Sequence, residues 1–219
     1  PSALLPPPDR ICLTHLHFDH VAGLPGTLRR LADDAPGRTL EILGPPGSYD
    51  LVASHLRFVA PPDRRYIRDR VDMVVAELLS GGDAVRPARD GGPRRRALFP
   101  GPDGIWTAME GDGARIRAAP VRHRPRVPTF GYVLEEGRRR AAVLSDNCGW
   151  GAAADEAFAD ADVMVNEATL GHGDAAGHRR RSPTGHSTAE MVAAGASRAR
   201  PRVLVLTNFS AKLGGATFE

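Results

Sequence analysis

Residues 10–20 read Arg10-Ile11-Cys12-Leu13-Thr14-His15-Leu16-His17-Phe18-Asp19-His20, an apolar run that breaks into a cluster of histidines. The run Arg10 to Thr14 predicts a buried strand. Its end carries three imidazoles and one carboxylate within the six positions 15–20. Along an extended backbone His15 and His17 project to the same side, and Asp19 and His20 follow where the chain turns. Zinc takes imidazole nitrogen and carboxylate oxygen, and loops at strand ends can aim such ligands at one point. A solvated polar loop is the bland alternative; histidine is too rare and the spacing too tight to favour it.

Outward from this motif, strands and helices alternate. A short helix is expected over Gly23 to Leu31, a strand over Thr39 to Leu43, the turn Gly44-Pro45-Pro46-Gly47, and a helix over Tyr49 to Val59 with one apolar face. Strands are expected over Ala114 to His123, Phe130 to Glu135 and Ala141 to Ser145, the last two joined tightly near Gly137. A helix over Ala152 to Phe158 and a strand over Asp162 to Asn166 follow. A helix over Ser187 to Ser197 opens on the capping box Ser187-Thr188-Ala189-Glu190, and a buried strand covers Val203 to Thr207. This order predicts a layered α/β domain. Residues 80–104, rich in Gly, Pro and Arg and without periodicity, read as a long surface loop.

With 219 residues, 42% hydrophobic and 25% charged, the chain suits a single soluble globular domain. No apolar run approaches the roughly 20 residues of a membrane helix, so a membrane partner is not expected. The formal charge of +3 permits a nucleic-acid partner without demanding one. Lys212 is the one lysine among 29 basic residues, so the arginine excess reads as genome composition. Arg94 to Arg96, Arg138 to Arg140 and Arg179 to Arg181 read as charged surface, as does the loop with His172 and His178; His55 reads as a packing or surface residue. Cys12 and Cys148 form no CxxC pair, which points to a reducing compartment. Pro1 opens the chain in place of Met, and the sequence ends soon after its last strand-like run. The stretch is therefore expected to be incomplete at both ends.

HxHxDH after a hydrophobic strand resembles the signature of the metallo-β-lactamase superfamily. The resemblance implies α/β architecture in an αββα sandwich, here with the N-terminal strands missing. Further motifs resemble the ribonuclease Z family within it. THLHFDHVAGLPG resembles that family's THxHxDHxxGLPG, and Ile42 to Gly47 its GPxG turn. His123 to Glu135 resembles HxxxxxGYxxE, and Ala141 to Asn147 the strand that ends in GDT. Asp162 to Leu170 resembles DxxxHEATF/L, Gly185 to Glu190 resembles HSTxxE, and Val203 to Lys212 resembles the strand that ends in THxSxR. These motifs keep the family's order from about Arg10 to Lys212.

The resemblance implies two Zn2+ sites, with Mn2+ or Fe2+ suited to overlapping ligand sets. His15, His17 and His123 serve one site, Asp19 and His20 the other, and Asp146 bridges them. Asp19 also orients the attacking water, while His186, paired with Glu167, is the general acid. Without its motif, a histidine just before a helix reads as a surface residue. Asn208 stands where the family has a metal-binding His, so it is counted as a ligand that weakens the second site. Asn166 replaces the His of HEAT. The long arm that grips tRNA in many members has no counterpart between Glu135 and Ser145.

The implied function is a metal-dependent endoribonuclease that processes the 3′ end of tRNA precursors. Its partner is precursor tRNA, homodimers are common in the family, and the location is intracellular, with the cytoplasm expected. Two alternatives remain open at this point. One is another phosphodiesterase or arylsulfatase-like hydrolase of the same fold. The other is a catalytically weakened homologue that binds RNA or a partner subunit.

Overall fold

The structure is a computed structural model that describes residues 8–59, 67, 69–89, 91–111, 113–170 and 185–210. The chain divides into two compact units, residues 1–99 and 100–219. His172, His178 and Arg179 to Arg181 lie outside the described residues.

The first unit holds a four-stranded parallel sheet in the order β1-β2-β3-β4. Its strands are β1 (Arg10–Cys12), β2 (Arg38–Gly44), β3 (Val71–Leu78) and β4 (Arg94–Leu98). Among the described residues, α1 (Phe18–Val21), α2 (Leu24–Asp34) and α3 (Ser48–Val59) accompany them. In α2, Leu24, Leu28, Leu31 and Ala32 fall on one buried face, and a proline in its first turn is tolerated where no intrahelical N–H is needed. That face joins Leu40 and Ile42 of β2 and Val71, Met73 and Val75 of β3 in one core.

The structure departs from the sequence-based expectation at the loop over residues 80–104 and at Arg95. Residues 80–104 are not one continuous loop, because β4 runs through them. Within the Arg94–Arg96 run, Arg94 and Arg96 are the charged surface expected, whereas Arg95 is largely buried. Each cation neutralises a carboxylate of its own sheet: Arg94 pairs with Asp72, Arg95 with Glu77 and Arg96 with Glu41. β3, which the sequence reading left unassigned, is buried almost throughout, and a short apolar run carries no period that separates strand from helix.

The second unit holds a six-stranded sheet in the order β10-β9-β8-β7-β6-β5. The strands are β5 (Trp106–Gly111), β6 (Ala114–Val121), β7 (Thr129–Glu136), β8 (Arg139–Val143), β9 (Val163–Glu167) and β10 (Val203–Thr207). β5 through β8 are antiparallel neighbours, while β8, β9 and β10 are parallel. It follows that β6, β8, β9 and β10 all point the same way. Helices α4 (Ala152–Phe158) and α5 (Ala189–Ala199) contribute Phe158 and Ala199 to a core with Val133, Ala142 and Met164 of the sheet. The cap of α5 differs from the expected box. Thr188 is the N-cap, its hydroxyl accepting from Met191 N–H, while Ser187 is drawn inward to donate to the Asn147 carbonyl at 2.6 Å.

Glu77 is fully buried and Arg95 nearly so. The Glu77 carboxylate also accepts from Gly47 N–H at 2.8 Å and Tyr49 N–H at 3.2 Å, which ties the turn after β2 to α3. Gly47 has φ +96°, a conformation that favours glycine. Removing Arg95 leaves a buried carboxylate without its cation. Arg95→Ala is expected to cost about 3–5 kcal/mol in urea unfolding at neutral pH. The double variant Glu77→Gln/Arg95→Met is expected to recover most of that loss, and a cost below about 1 kcal/mol for the single variant would mean the pair is effectively solvated.

Candidate metal centre

In the first unit, β1 stops at Cys12, and Leu13 makes one more sheet bond, its N–H donating to the Leu43 carbonyl at 2.7 Å. The chain then passes His15 and caps α1 with His17, whose extended φ of −66° and ψ of 146° precede the helical turn. His15 is fully buried. Its Nε2 stands 3.0 Å from His17 Nδ1, and its Nδ1 stands 3.2 Å from the Thr14 hydroxyl. The His20 ring lies 4.3 Å from the His15 ring, centroid to centroid. Asp19 reaches His20 Nε2 at 3.4 Å while its side chain stays 78% exposed. Two nitrogens on one tetrahedral zinc at about 2.0–2.1 Å stand roughly 3.4 Å apart, so the His15–His17 spacing is close to that of two ligands of one cation.

In the second unit the strands that run together deliver their carboxyl ends to one edge of the sheet. His123 follows β6, Asp146 follows β8, Glu167 ends β9 and Asn208 follows β10. His123 is buried, and its Nδ1 donates to the Gly185 carbonyl at 2.8 Å. That bond fixes the tautomer and leaves the Nε2 lone pair for a cation. Gly185 is required here: its φ is +69°, and a Cβ would lie 2.5 Å from the His123 carbonyl carbon. His123 Nε2 faces Asp146 Oδ2 at 3.9 Å, and His186 Nε2 faces the same oxygen at 3.8 Å.

His186 is held from behind by Glu167, its Nδ1 lying 2.8 Å from Oε1. Oε1 also accepts from Asn147 N–H at 2.9 Å, and Oε2 accepts from the N–H and hydroxyl of Thr169. Burial pushes the Glu167 carboxyl up, but the bonds from His186, Thr169 and Asn147 outweigh it and hold it below the usual carboxylate range. The bond to Glu167 raises the His186 imidazole above its usual range. Burial and Arg124 oppose that shift, while the charges of Glu167 and Asp146 add to it. Asn208 donates from Nδ2 to Asp146 Oδ1 at 3.0 Å.

The first unit thus brings His15, His17, Asp19 and His20 together, and the second brings His123, Asp146, Glu167, His186 and Asn208 together. The donor set fits a divalent cation: imidazole nitrogens and a carboxylate oxygen, with the His123 tautomer already fixed. Asn147 and Gly185 escaped the sequence reading as supporting residues. Asn147 joins three segments: its Nδ2 donates to Ser145 and Asn166, its Oδ1 accepts from Gly149, and its carbonyl accepts from Ser187. Only its place directly after Asp146 hinted at this.

A family model described as a beta-lactamase superfamily domain matches residues 1–209. A curated ribonuclease Z from Kineococcus radiotolerans is 30% identical over 92% of this chain and 67% of its own length. One from Mycolicibacterium paratuberculosis is 31% identical over 91% of this chain and 66% of its own length. The crystal structure of human tRNase Z, short form, superposes with a TM-score of 0.74 at 26% identity, covering 93% of this chain and 73% of that one. The chain belongs to the ribonuclease Z family of the beta-lactamase superfamily. It spans about two thirds of the length of the two curated relatives (67% and 66%).

Loss of the Asn147 side chain strips the fully buried Asn166 of its one side-chain bond, made at 2.7 Å. The backbone bond from Asn147 to Glu167 survives truncation. Asn147→Ala is therefore expected to lower stability by about 1–3 kcal/mol in urea unfolding. A change under about 0.5 kcal/mol would show that the amide network carries no weight.

Proposed function

We propose that this chain is a metal-dependent endoribonuclease that processes the 3′ end of tRNA precursors by phosphodiester hydrolysis. Family membership supports the substrate. The chemistry rests on one observation, the Glu167–His186 pair aimed at Asp146. In this reading the metal ligands are those the family resemblance implies: His15, His17, Asp19, His20, His123, Asp146 and the position of Asn208. Zinc suits these ligands best, with manganese and iron next. The reading carries with it the homodimer and intracellular setting of the family. Among the described residues no helix is long and apolar enough to cross a membrane.

A divalent cation bound there would polarise a phosphoryl oxygen and make a water more acidic. The protein's own groups do the rest. Gly185 fixes the His123 ring and Glu167 fixes that of His186, so neither must reorganise during the reaction. Asp19 orients the attacking water and accepts its proton. As the water oxygen bonds to phosphorus, the bond from phosphorus to the 3′ oxygen breaks. The Nε2 proton of His186 passes to that oxygen, and Glu167 stabilises the protonated ring until then.

The test is cleavage of precursor tRNA by the full chain. His186→Ala is expected to lower kcat by about 10²–10⁴-fold with zinc content unchanged, because only the proton donor is removed. His123→Ala is expected to lose zinc as well as activity. Wild-type cleavage by His186→Ala would remove the assigned proton donor. Hydrolysis of an aryl phosphodiester without cleavage of precursor tRNA would reassign the substrate class.

A further inference from the structure

We infer that Asn208 acts on Asp146 as a hydrogen-bond donor instead of a metal ligand, so that the chain holds one divalent cation and not a bridged pair. The inference rests on the metal-dependent reading above and concerns how many cations that centre takes.

A carboxylate can bridge two cations with one oxygen to each or through one shared oxygen, and in either mode each cation needs further ligands of its own. Asp146 is buried and its two oxygens have different surroundings. Oδ2 faces His123 Nε2 at 3.9 Å and His186 Nε2 at 3.8 Å. Oδ1 accepts the Asn208 amide at 3.0 Å. That amide turns the positive end of its dipole toward Oδ1, as a hydrogen-bond donor does and a metal ligand does not. An amide nitrogen has no free lone pair, because its pair is delocalised into the carbonyl. Asn208 could ligate only through its own oxygen. To do so the amide must exchange ends, losing the bond to Asp146 and setting its oxygen against a carboxylate oxygen. An imidazole at the same place keeps an in-plane lone pair and meets no such conflict.

The backbone supports the assignment. Asn208 has φ +59°, in the left-handed region that asparagine enters more readily than most residues. It follows β10 directly, so the amide is carried by the sheet. Glu167 cannot take over the bridging role. Both its oxygens already accept hydrogen bonds, from His186 and Asn147 on one and from Thr169 on the other.

The test counts zinc on the full chain. Protein stripped with a chelator is titrated with zinc by calorimetry, and metal per chain is measured by elemental analysis after desalting. The unmodified chain is expected to retain about one zinc, and Asn208→His about two. Asn208→Asp, which supplies an oxygen without an N–H, is the second variant, also expected to reach about two. Cobalt(II) loaded into the unmodified chain is expected to give the signal of an isolated ion. Two tightly held zincs or a spin-coupled cobalt pair in the unmodified chain would overturn the inference and leave the ribonuclease reading standing. So would folded Asn208→His and Asn208→Asp that both stay at one. No retained zinc in any form would overturn the metal-dependent reading and this inference with it.

Discussion

Four of the six strands in the second unit's sheet, β6, β8, β9 and β10, share one direction, and the chemistry of that unit depends on it. Strands that run together end together. Each then releases its chain at the same edge, where backbone pairing stops and side chains are free to converge. His123, Asp146, Glu167 and Asn208 are the residues at or just past those ends. They are distant in sequence and adjacent in space for this reason alone. The same logic holds in the parallel sheet of the first unit, where His15 and His17 follow the end of β1.

Convergence of acids has an electrostatic cost. Asp146, Glu167 and His186 offer ligand atoms that all lie within 4.8 Å of one another. Two carboxylates at that range repel by on the order of 3 kcal/mol at an effective dielectric of about 20. Hydrogen-bond donors relieve this repulsion before any cation arrives. Glu167 takes four such bonds, and the imidazole of His186 lies against both acids. The orientation of His186 is thus a by-product of keeping a buried carboxylate charged. A group chosen to satisfy Glu167 is also the one aimed at Asp146.

Much of this was legible in the sequence, and the reasons for success and failure are physical. His15, His17, Asp19 and His20 were legible because local spacing alone brings them together. His123, Asp146, Glu167 and His186 were legible only through motif resemblance, since no periodicity predicts that separate strands share an edge. Gly185 acts through its carbonyl and its turn, and the amide of Asn147 through a partner nineteen residues away, neither of which local spacing reveals. β4 was hidden because three arginines mask a strand whose charges are neutralised across the sheet. Ser187 looked like a helix cap, yet its hydroxyl is claimed by the Asn147 carbonyl, so capping falls to Thr188 one residue later. In each failure a tertiary partner outbid a local preference.

Three asparagines stand at or near these strand ends: Asn147, Asn166 and Asn208. An amide offers a donor and an acceptor without net charge, so it can satisfy an acid without discharging it. Asn147 uses both ends of its amide. Asn166 uses only its oxygen; its Nδ2 is buried with no hydrogen-bond partner, a deficit of about 1–3 kcal/mol. Such a deficit persists where the surrounding bonds over-determine the position, and Asn166 is pinned by the β9–β10 ladder on its backbone and by Asn147 on its side chain. Asn208 completes the set from β10, giving a neutral donor to Asp146 Oδ1. With Oδ1 engaged by Asn208 and Glu167 accepting four hydrogen bonds, Asp146 Oδ2 faces His123 Nε2 at 3.9 Å. The neutral amides thereby set which oxygen of a crowded acidic edge faces the imidazoles of His123 and His186.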